Sequence, residues 1–403
     1  KNSHPHTDCS KEVVVVHNGI IENFEKLKKD LIKKGHKFSS DTDTEVFAHL
    51  VEEYSKKSSF ENAVRRAFNK LEGLNAVVAL EKEGKILAFR KGSPLVVGVS
   101  NDANYISSDI PALLSETNQI VLLKEGEGVF LNKKGVFLVD AKSGKKKQAR
   151  SEKIEMNEVK EDKGNFDHFL LKEIYEQAEV VARVAANDKS AVKRAAKYIK
   201  DSWGTYFTAC GTASHAGLCA TYMFSEIAKR HVNFTVGSEF PYFEDFLVEK
   251  SLLIAASQSG ETMDTLEAVR AAKKHGSKIL AMVNVPGSSL TRLADYTLLL
   301  RAGPERAVLS TKAYMAKLSL FLLLAYTLDG KYEQGVKTLK KVHKALRKML
   351  NKDFENNIMS LAKKLYKKEN IYLIGRGVNY PTALEGALKI KEASYIHAEG
   401  FAG

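Results

Sequence analysis

The clearest chemistry in the sequence lies in six consecutive residues, SQSGET at 257–262. They follow an apolar run of strand length at 251–256 and precede a segment, 263–275, whose apolar residues recur at helical spacing. A turn from a strand into a helix directs free backbone N–H groups and the positive helix end at a ligand, which suits a phosphate. A single Ser or Thr at such a turn is usually a helix cap, but six residues of this composition favour an anion-binding turn.

A second group with chemical potential is formed by Glu385, Lys389 and Glu392. Their spacing places them on one face of a helix predicted for 381–395. Carboxylates and an ammonium can move protons and stabilise negative charge. From the residues alone, an exposed Glu–Lys pair contributing about 0.2–0.5 kcal/mol is the favoured interpretation.

The elements around these groups alternate between strand and helix. Strands are predicted at 205–209, 279–283 and 296–300, and helices follow at 211–227 and 312–328. Such alternation is typical of a doubly wound parallel sheet, which binds ligands at the carboxyl ends of its strands. The strand predicted at 370–374, followed by Gly-Arg-Gly and a helix, repeats the same unit and indicates a second copy.

The first 150 residues differ from this pattern and predict an α+β domain of sheets packed against helices. A Val-rich strand at 13–16 ends at His17-Asn18-Gly19, and a hairpin joins 76–80 to 85–89. The remaining predicted elements are helices at 22–34, 44–54 and 60–71 and short strands at 105–107, 120–123, 129–131 and 136–139.

Length, composition and charge exclude several classes of protein. A length of 403 residues predicts two or three domains, and 44% hydrophobic residues are ordinary for a cytoplasmic globular protein. The three cysteines show neither a disulfide framework nor a zinc spacing, so we expect no metal. The net charge of +13 accompanies no nucleic-acid-binding motif, so we expect solvated lysines and no nucleic-acid partner. No apolar run is long enough to predict a membrane span.

These motifs resemble known families. SQSGET is the signature of the sugar isomerase (SIS) domain. His4-Pro5-His6, His17-Asn18-Gly19 and the TDTE run at 42–45 resemble the class II glutamine amidotransferase domain, of the Ntn type. Together they are similar to the glutamine–fructose-6-phosphate aminotransferase family, whose members make glucosamine 6-phosphate and need no cofactor. The resemblance implies fructose 6-phosphate and glutamine as ligands, and a homodimer formed through the SIS domains.

The resemblance also implies roles for individual residues. Asn18 and Gly19 match an oxyanion hole, and His6 and Asp43 match glutamine-binding residues. Glu392 matches the carboxylate that moves a proton between C1 and C2, with Lys389 stabilising the developing charge, Glu385 orienting it and His397 only packing. The sugar phosphate is expected at seven residues: Thr212, Ser257, Gln258, Ser259, Thr262, Val308 and Ser310.

The sequence departs from the family pattern at its ends. The family's amino-terminal cysteine nucleophile and its later histidine and lysine do not occur in this chain, so we expect a fragment that binds glutamine without hydrolysing it. The expected domains are an amidotransferase domain at 1–150, a charged linker at 151–185, a first SIS domain at 186–335, and a linker helix with the start of a second SIS domain at 336–403. A sugar-phosphate isomerase or deglycase, or a sugar-phosphate-sensing regulator, remains an alternative, although neither would carry the amidotransferase motifs.

Overall fold

Two antiparallel sheets and three helices build the first of two units. The computed structural model describes residues 1–132, 135–154 and 163–403, and the units are Lys1–Glu158 and Val159–Gly403. The helices of the first unit are α1 (Phe24–Lys33), α2 (Thr44–Ser55) and α3 (Phe60–Phe68), with a 3₁₀ turn at Pro111–Leu113. Its strands are β1 (His6–Thr7), β2 (Val13–Gly19), β3 (Asn75–Glu81), β4 (Ile86–Lys91), β5 (Val96–Val99), β6 (Asn104–Ser107), β7 (Gln119–Leu122), β8 (Glu127–Asn132), β9 (Gly135–Asp140), β10 (Lys146–Gln148) and β11 (Glu152–Lys153).

The first unit is layered, as the sequence predicted. Its larger sheet has the order β1-β2-β3-β4-β8-β9-β10, and its smaller sheet has the order β11-β7-β5-β6. One core lies between the three helices and the larger sheet and contains Phe47, Val64 and Phe89. A second core, containing Val97 and Val129, lies between the two sheets. Burial on both faces explains why the central strands β3, β4 and β8 of the larger sheet are mostly apolar.

The second unit contains a parallel sheet with helices on both faces. Its helices are α4 (Phe169–Ala185), α5 (Lys189–Asp201), α6 (Gly211–Glu226), α7 (Met263–Lys274), α8 (Ser289–Leu293), α9 (Lys312–Leu328), α10 (Tyr332–Met349), α11 (Lys352–Leu365) and α12 (Asn379–Ser394), with a 3₁₀ helix at Phe240–Phe246. Its strands are β12 (Gly204–Ala209), β13 (Asn233–Val236), β14 (Ser251–Ser257), β15 (Lys278–Val283), β16 (Tyr296–Leu299), β17 (Asn370–Gly375) and β18 (His397–Ala402).

Five of these strands form one sheet in the order β13-β12-β14-β15-β16, and every pairing in it is parallel. All seven residues of β14 are buried, because cores cover both faces of the sheet. The doubly wound prediction is therefore confirmed. The pair β17 and β18 is also parallel, and α12 connects the two strands, which repeats the strand–helix unit of the main sheet.

Three features of the second unit add to the predicted organisation. Within the segment predicted as a charged linker, 151–185, α4 begins at Phe169 and buries Val180, Val181 and Val184 in the main core; residues 155–162 lie outside the described part. The predicted linker helix likewise packs on that core, and a further helix, α11, follows it. His397, expected to pack, lies in a strand with its side chain 54% exposed.

Candidate functional site

The turn at 257–262 joins β14 to α7 and is held by its own hydroxyl groups. Ser257 Oγ accepts a hydrogen bond from the Gly260 N–H at 2.9 Å and lies 2.8 Å from Thr262 Oγ1. Ser259 Oγ accepts from the Glu261 N–H at 3.1 Å. Thr262 is the N-cap of α7, whose first turn has N–H groups without intrahelical partners. The turn is thus held in one conformation by internal hydrogen bonds, and anion binding there stays a prediction.

Gly260 is required at this turn for two reasons. Its φ is +73°, a conformation that residues with a Cβ rarely adopt. A Cβ at this position would also lie 2.1 Å from Ser288 Oγ, because the loop after β15 passes directly beside it. The Gly260 carbonyl accepts from the Leu290 N–H at 3.0 Å, and the Glu261 carboxylate accepts from the Ser289 N–H at 2.7 Å. The loops after β14 and β15 are therefore held against each other by hydrogen bonds.

Gln258, the remaining expected phosphate ligand of this turn, also contacts the loop after β15. Its carbonyl accepts from the Asn284 N–H at 3.1 Å, and the Asn284 side chain in turn bonds Ala302 and Gly303 in the loop after β16. Three successive loops at the carboxyl end of the sheet are thus linked by hydrogen bonds.

Thr212 contacts α12, the helix that carries Glu385 and Lys389, in a buried polar cluster. Its hydroxyl donates to Glu385 Oε1 at 3.0 Å and accepts from Lys389 Nζ at 2.8 Å. Lys389 Nζ also donates to Glu392 Oε2 at 2.5 Å. Glu385 is only 5% exposed, so the interpretation of an exposed Glu–Lys pair is wrong. The Glu392 side chain is 38% exposed and can be reached from solvent.

His215 completes this cluster and was missed by the sequence analysis. Its Nδ1 lies 2.8 Å from Glu385 Oε2, so both carboxylate oxygens of Glu385 are engaged by α6. The available signal was its spacing, because a residue three positions after Thr212 lies on the same face of α6. Glu385 therefore joins α12 to α6 and fixes the position of Lys389.

Val308 and Ser310 lie in the loop before α9. Val308 is 96% exposed, and Ser310 Oγ donates to Glu305 Oε2 at 3.1 Å. Glu305 Oε1 accepts from the Thr311 N–H at 2.7 Å, and Glu173 of α4 accepts from the Arg306 N–H at 2.6 Å. Burial raises the pKa of Glu173. The contacts of Ser310 are made to its own loop, not to the turn at 257–262.

The expected glutamine-binding residues converge in the first unit. Asp43 Oδ2 accepts from the Ile21 N–H at 2.7 Å, which brings it to the loop that follows Asn18 and Gly19. Gly19 has a φ of +140°, and a Cβ there would lie 2.1 Å from the Leu74 carbonyl oxygen, so the position requires glycine. Asn18 is exposed at the end of β2 and paired in register with Ala76.

Two buried histidines support this group. His6 Nε2 lies 3.2 Å from Thr42 Oγ1, beside Asp43 in sequence. His17 lies between Thr44 Oγ1 at 3.1 Å and Asn75 Oδ1 at 2.8 Å. Burial lowers the pKa of both histidines and so favours their neutral forms. His17 was noted only as part of a motif, yet its contacts fix the strand that carries Asn18.

A surface pocket of about 570 Å³ lies elsewhere in the second unit. Its lining includes Ser251 and Lys278, the first residues of β14 and β15, together with Arg194 and Lys197. It therefore opens at the amino ends of the parallel strands, opposite to the polar turns. Among the described residues, no helix combines the length and the apolar character that crossing a membrane requires.

Comparison with known proteins agrees with these two groups of residues. The family model for a glutamine amidotransferase domain matches residues 1–115, and the model for the SIS domain matches residues 198–327 and 364–403. The fold and these two matches thus define a glutamine amidotransferase domain joined to a sugar isomerase domain.

Individual relatives make the assignment more specific. The glutamine–fructose-6-phosphate aminotransferase (isomerizing) of Thermococcus kodakarensis is 42% identical over 411 residues, covering 99% of this chain and 68% of the relative. That of Pyrococcus horikoshii is 41% identical over 405 residues, covering 99% and 68%. The solved C-terminal domain of glucosamine-fructose-6-phosphate aminotransferase from Francisella tularensis is 35% identical, with a TM-score of 0.54, covering 60% of this chain and 71% of that one. The chain belongs to the glutamine–fructose-6-phosphate aminotransferase (isomerizing) family.

Proposed function

We propose that the protein transfers the amide nitrogen of glutamine to fructose 6-phosphate and isomerises the product to glucosamine 6-phosphate. In this family the amidotransferase domain releases ammonia from glutamine and the sugar isomerase domain uses it; the residues named here supply glutamine binding and the oxyanion hole of the first step. The observation that carries the proposal is the cluster of Thr212 with Glu385 and Lys389, which joins residues 173 positions apart where a sugar phosphate is expected. The amidotransferase match argues against a free-standing isomerase and against a sugar-phosphate-sensing regulator.

In this proposal the phosphate is held at the carboxyl end of the parallel sheet. Backbone N–H groups at the start of α7 and nearby hydroxyls supply hydrogen bonds to its oxygens. The ligands are Thr212, Ser257, Gln258, Ser259 and Thr262, with Ser310 and the backbone near Val308 contacting the sugar.

The proton transfer falls to Glu392, whose carboxylate is accessible from solvent. A carboxylate on one side of the sugar can remove a proton from one carbon and return it to the next. Lys389 lies between Glu392 and Thr212 and supplies positive charge where the enediol-like intermediate develops negative charge. Glu385 holds both Thr212 and Lys389, so its role is orientation.

In the amidotransferase unit, Asp43 and His6 bind glutamine, and Asn18 and Gly19 form the oxyanion hole. A side-chain amide and a backbone N–H directed at one point stabilise a tetrahedral oxyanion. The support is geometric, because Asp43 contacts the loop that follows Asn18 and Gly19.

Calorimetric titration with fructose 6-phosphate tests the sugar-phosphate site. We expect the wild-type chain to bind and the double variant Ser259→Ala, Thr262→Ala to lose binding. Thr338→Ala is the matched control, because its hydroxyl bonds only Gln334 within α10. Equal binding by the double variant and the wild type would overturn the assignment of the phosphate site.

We also propose that the protein acts in the cytoplasm as a homodimer formed through its sugar isomerase units. Three aromatic side chains of the 3₁₀ helix at Phe240–Phe246 are exposed and offer apolar surface of the kind that interfaces bury, namely Tyr242, Phe243 and Phe246. Light scattering coupled to size-exclusion chromatography should give twice the chain mass of 44.7 kDa. A monomer at micromolar concentration would contradict the dimer.

A further inference from the structure

Four potential metal ligands meet in the first unit, away from the residues assigned above. Cys9 lies in the loop after β1, His36 follows α1, and His49 and Glu52 lie one turn apart on α2. One ligand atom of each residue lies within 4.8 Å of the others. Both histidines are buried, and each directs its Nδ1 into the cluster.

The distances between the ligand atoms are near those of a tetrahedral site. Glu52 Oε2 lies 2.9 Å from His36 Nδ1 and 3.2 Å from His49 Nδ1. Cys9 Sγ lies 3.5 Å from His49 Nδ1 and 3.8 Å from His36 Nδ1. Bonds of zinc to sulfur, nitrogen and oxygen in tetrahedral geometry give ligand–ligand separations of roughly 3.3–3.6 Å. These four distances lie on both sides of that range, so shifts of a few tenths of an ångström would bring the atoms to a common metal ion.

The second ring nitrogens face carboxylates. His36 Nε2 lies 3.3 Å from Glu53 Oε2, and His49 Nε2 lies 3.5 Å from Glu45 Oε1. Metal-binding histidines typically donate their other N–H to a carboxylate, which fixes the tautomer and the ring orientation. A hydrogen bond to Glu53 supports the Nε2–H tautomer of His36, which leaves its Nδ1 lone pair directed inward. His49 Nε2 lies near Glu45 without a hydrogen bond to it, so only proximity to a carboxylate favours the same tautomer there.

Glu52 Oε2 is the common partner of the cluster. It accepts from the Cys9 N–H at 3.2 Å and lies within hydrogen-bond distance of both Nδ1 atoms. A carboxylate oxygen has two lone-pair sites and cannot serve three donors, so at least one Nδ1 directs a lone pair inward, as a metal ligand does. The Lys37 N–H donates to Cys9 Sγ at 3.4 Å, a contact that suits a thiolate.

We propose that Cys9, His36, His49 and Glu52 bind one divalent transition-metal ion, with zinc the best match to one thiolate, two imidazoles and one carboxylate. Four protein ligands fill a tetrahedral shell, as in structural zinc sites. Binding exchanges the Cys9 thiol proton for a metal–sulfur bond. Sequence spacing had suggested no metal, because these ligands come from three separate elements.

The ion would act on the neighbouring site by restraining it. Cys9 lies three residues after His6, and α2 begins directly after Asp43. A metal joining Cys9 to α2 would hold the loop of His6 against the segment that carries Asp43. We therefore assign it a structural role and expect zinc to raise the unfolding temperature of the first unit.

The test is metal binding by the full 403-residue chain after removal of bound metal with a chelator. We expect one Zn²⁺ per chain, and visible absorption of tetrahedral cobalt with a thiolate charge-transfer band when Co²⁺ is used instead. Cys9→Ser and His49→Gln should each weaken zinc binding at least 100-fold. Glu53→Gln, which changes only an outer partner, should weaken it about 10–100-fold.

Two controls keep the result interpretable. Cys210→Ser and His231→Gln remove the same side-chain types from the second unit and should leave zinc binding unchanged. Cys9 is exposed, so Cys9→Ser is expected to fold, which circular dichroism checks. The proposal is overturned if the wild type binds zinc no more tightly than Cys9→Ser, or if Cys210→Ser loses the metal to the same extent.

Discussion

Lys317 is a lysine without access to solvent, and it offers the sharpest quantitative prediction. It lies on α9 with 1% exposure, and its Nζ lies 3.4 Å from the Ala313 carbonyl oxygen. Burial lowers the pKa of this ammonium from 10.5 to about 8, although the carboxylates of Glu305 and Glu385 oppose the shift. We predict that Lys317→Met stabilises the second unit.

The size and the pH dependence of the effect follow from the two pKa values. In the unfolded chain the lysine keeps its proton up to about pH 10.5, whereas in the folded chain it loses the proton above about pH 8. Between these values the unfolded state binds more protons, so wild-type stability rises with pH. Below pH 8 the full penalty is present. A difference of about 2.5 pKa units corresponds to about 3 kcal/mol, which Met, of similar volume, avoids.

Urea unfolding between pH 7 and pH 10.5 measures this difference. Far-UV circular dichroism follows the unfolding, because helices α4–α12 of the second unit carry most of the described helical residues, whereas Trp203, the single tryptophan, is already 78% exposed in the folded chain. Lys317→Met should exceed the wild type by about 3 kcal/mol at pH 7 and by progressively less as the pH rises. Lys340→Met, at an exposed position of α10, is the control. Equal stabilities at pH 7, or a gap independent of pH, would refute the reasoning.

Three further predictions concern the two sites. Gly260→Ala should lower the free energy of unfolding by about 1–2 kcal/mol and weaken fructose 6-phosphate binding in calorimetry, because the methyl group meets Ser288. Asp43→Asn should weaken glutamine binding about 10–100-fold in the same assay, because a charged acceptor is lost. Glu45→Gln should destabilise the first unit by about 3 kcal/mol at pH 7, since hydrogen bonds from two serines outweigh burial and lower its pKa to about 2. This difference should shrink as the pH falls from 4.5 toward 2 in denaturant titrations.

Matched variants separate these effects from general damage. Gly330→Ala has the same positive φ as Gly260→Ala but open space around it, so it should leave sugar-phosphate binding unchanged. Asp41→Asn changes an exposed neighbour of Asp43 and should leave glutamine binding unchanged. A stability gap for Glu45→Gln that persists at pH 2 would contradict the assigned pKa.

The parallel sheet was predictable because its strands are buried on both faces. Residues 252–256 of β14 are continuously apolar, and the polar turn begins where the strand ends. The start of α4 was missed, since Lys172 and Glu173 resemble solvent-exposed residues in sequence. Glu173 is nevertheless buried, because it accepts N–H groups from the distant loop at Arg306 and Ala307. A contact between residues so far apart leaves no local signal.

In the candidate sites too, local features were predictable from the sequence and contacts between distant residues were not. The turn at 257–262 is local, so its composition sufficed to predict it. The role of Glu385 was assigned through resemblance, but its contact with His215 depends on the packing of α12 against α6. The cluster of Cys9, His36, His49 and Glu52 gave no sequence signal, because its spacing matches none of the familiar zinc patterns.

The hydrogen bonds of Lys389 suggest how ligand binding could prepare the proposed proton carrier. In the structure its ammonium is shared between Thr212 Oγ1 at 2.8 Å and Glu392 Oε2 at 2.5 Å. An anionic sugar phosphate beside Thr212 competes with Glu392 for this ammonium, because a doubly charged phosphate is the stronger partner. Moving Lys389 toward the ligand breaks its hydrogen bond to Glu392 and leaves Glu392 Oε2 free to approach a C–H group of the sugar. We therefore expect Glu392 to be available as the proton acceptor when the sugar phosphate is bound, while Glu385 keeps Lys389 within reach of both partners.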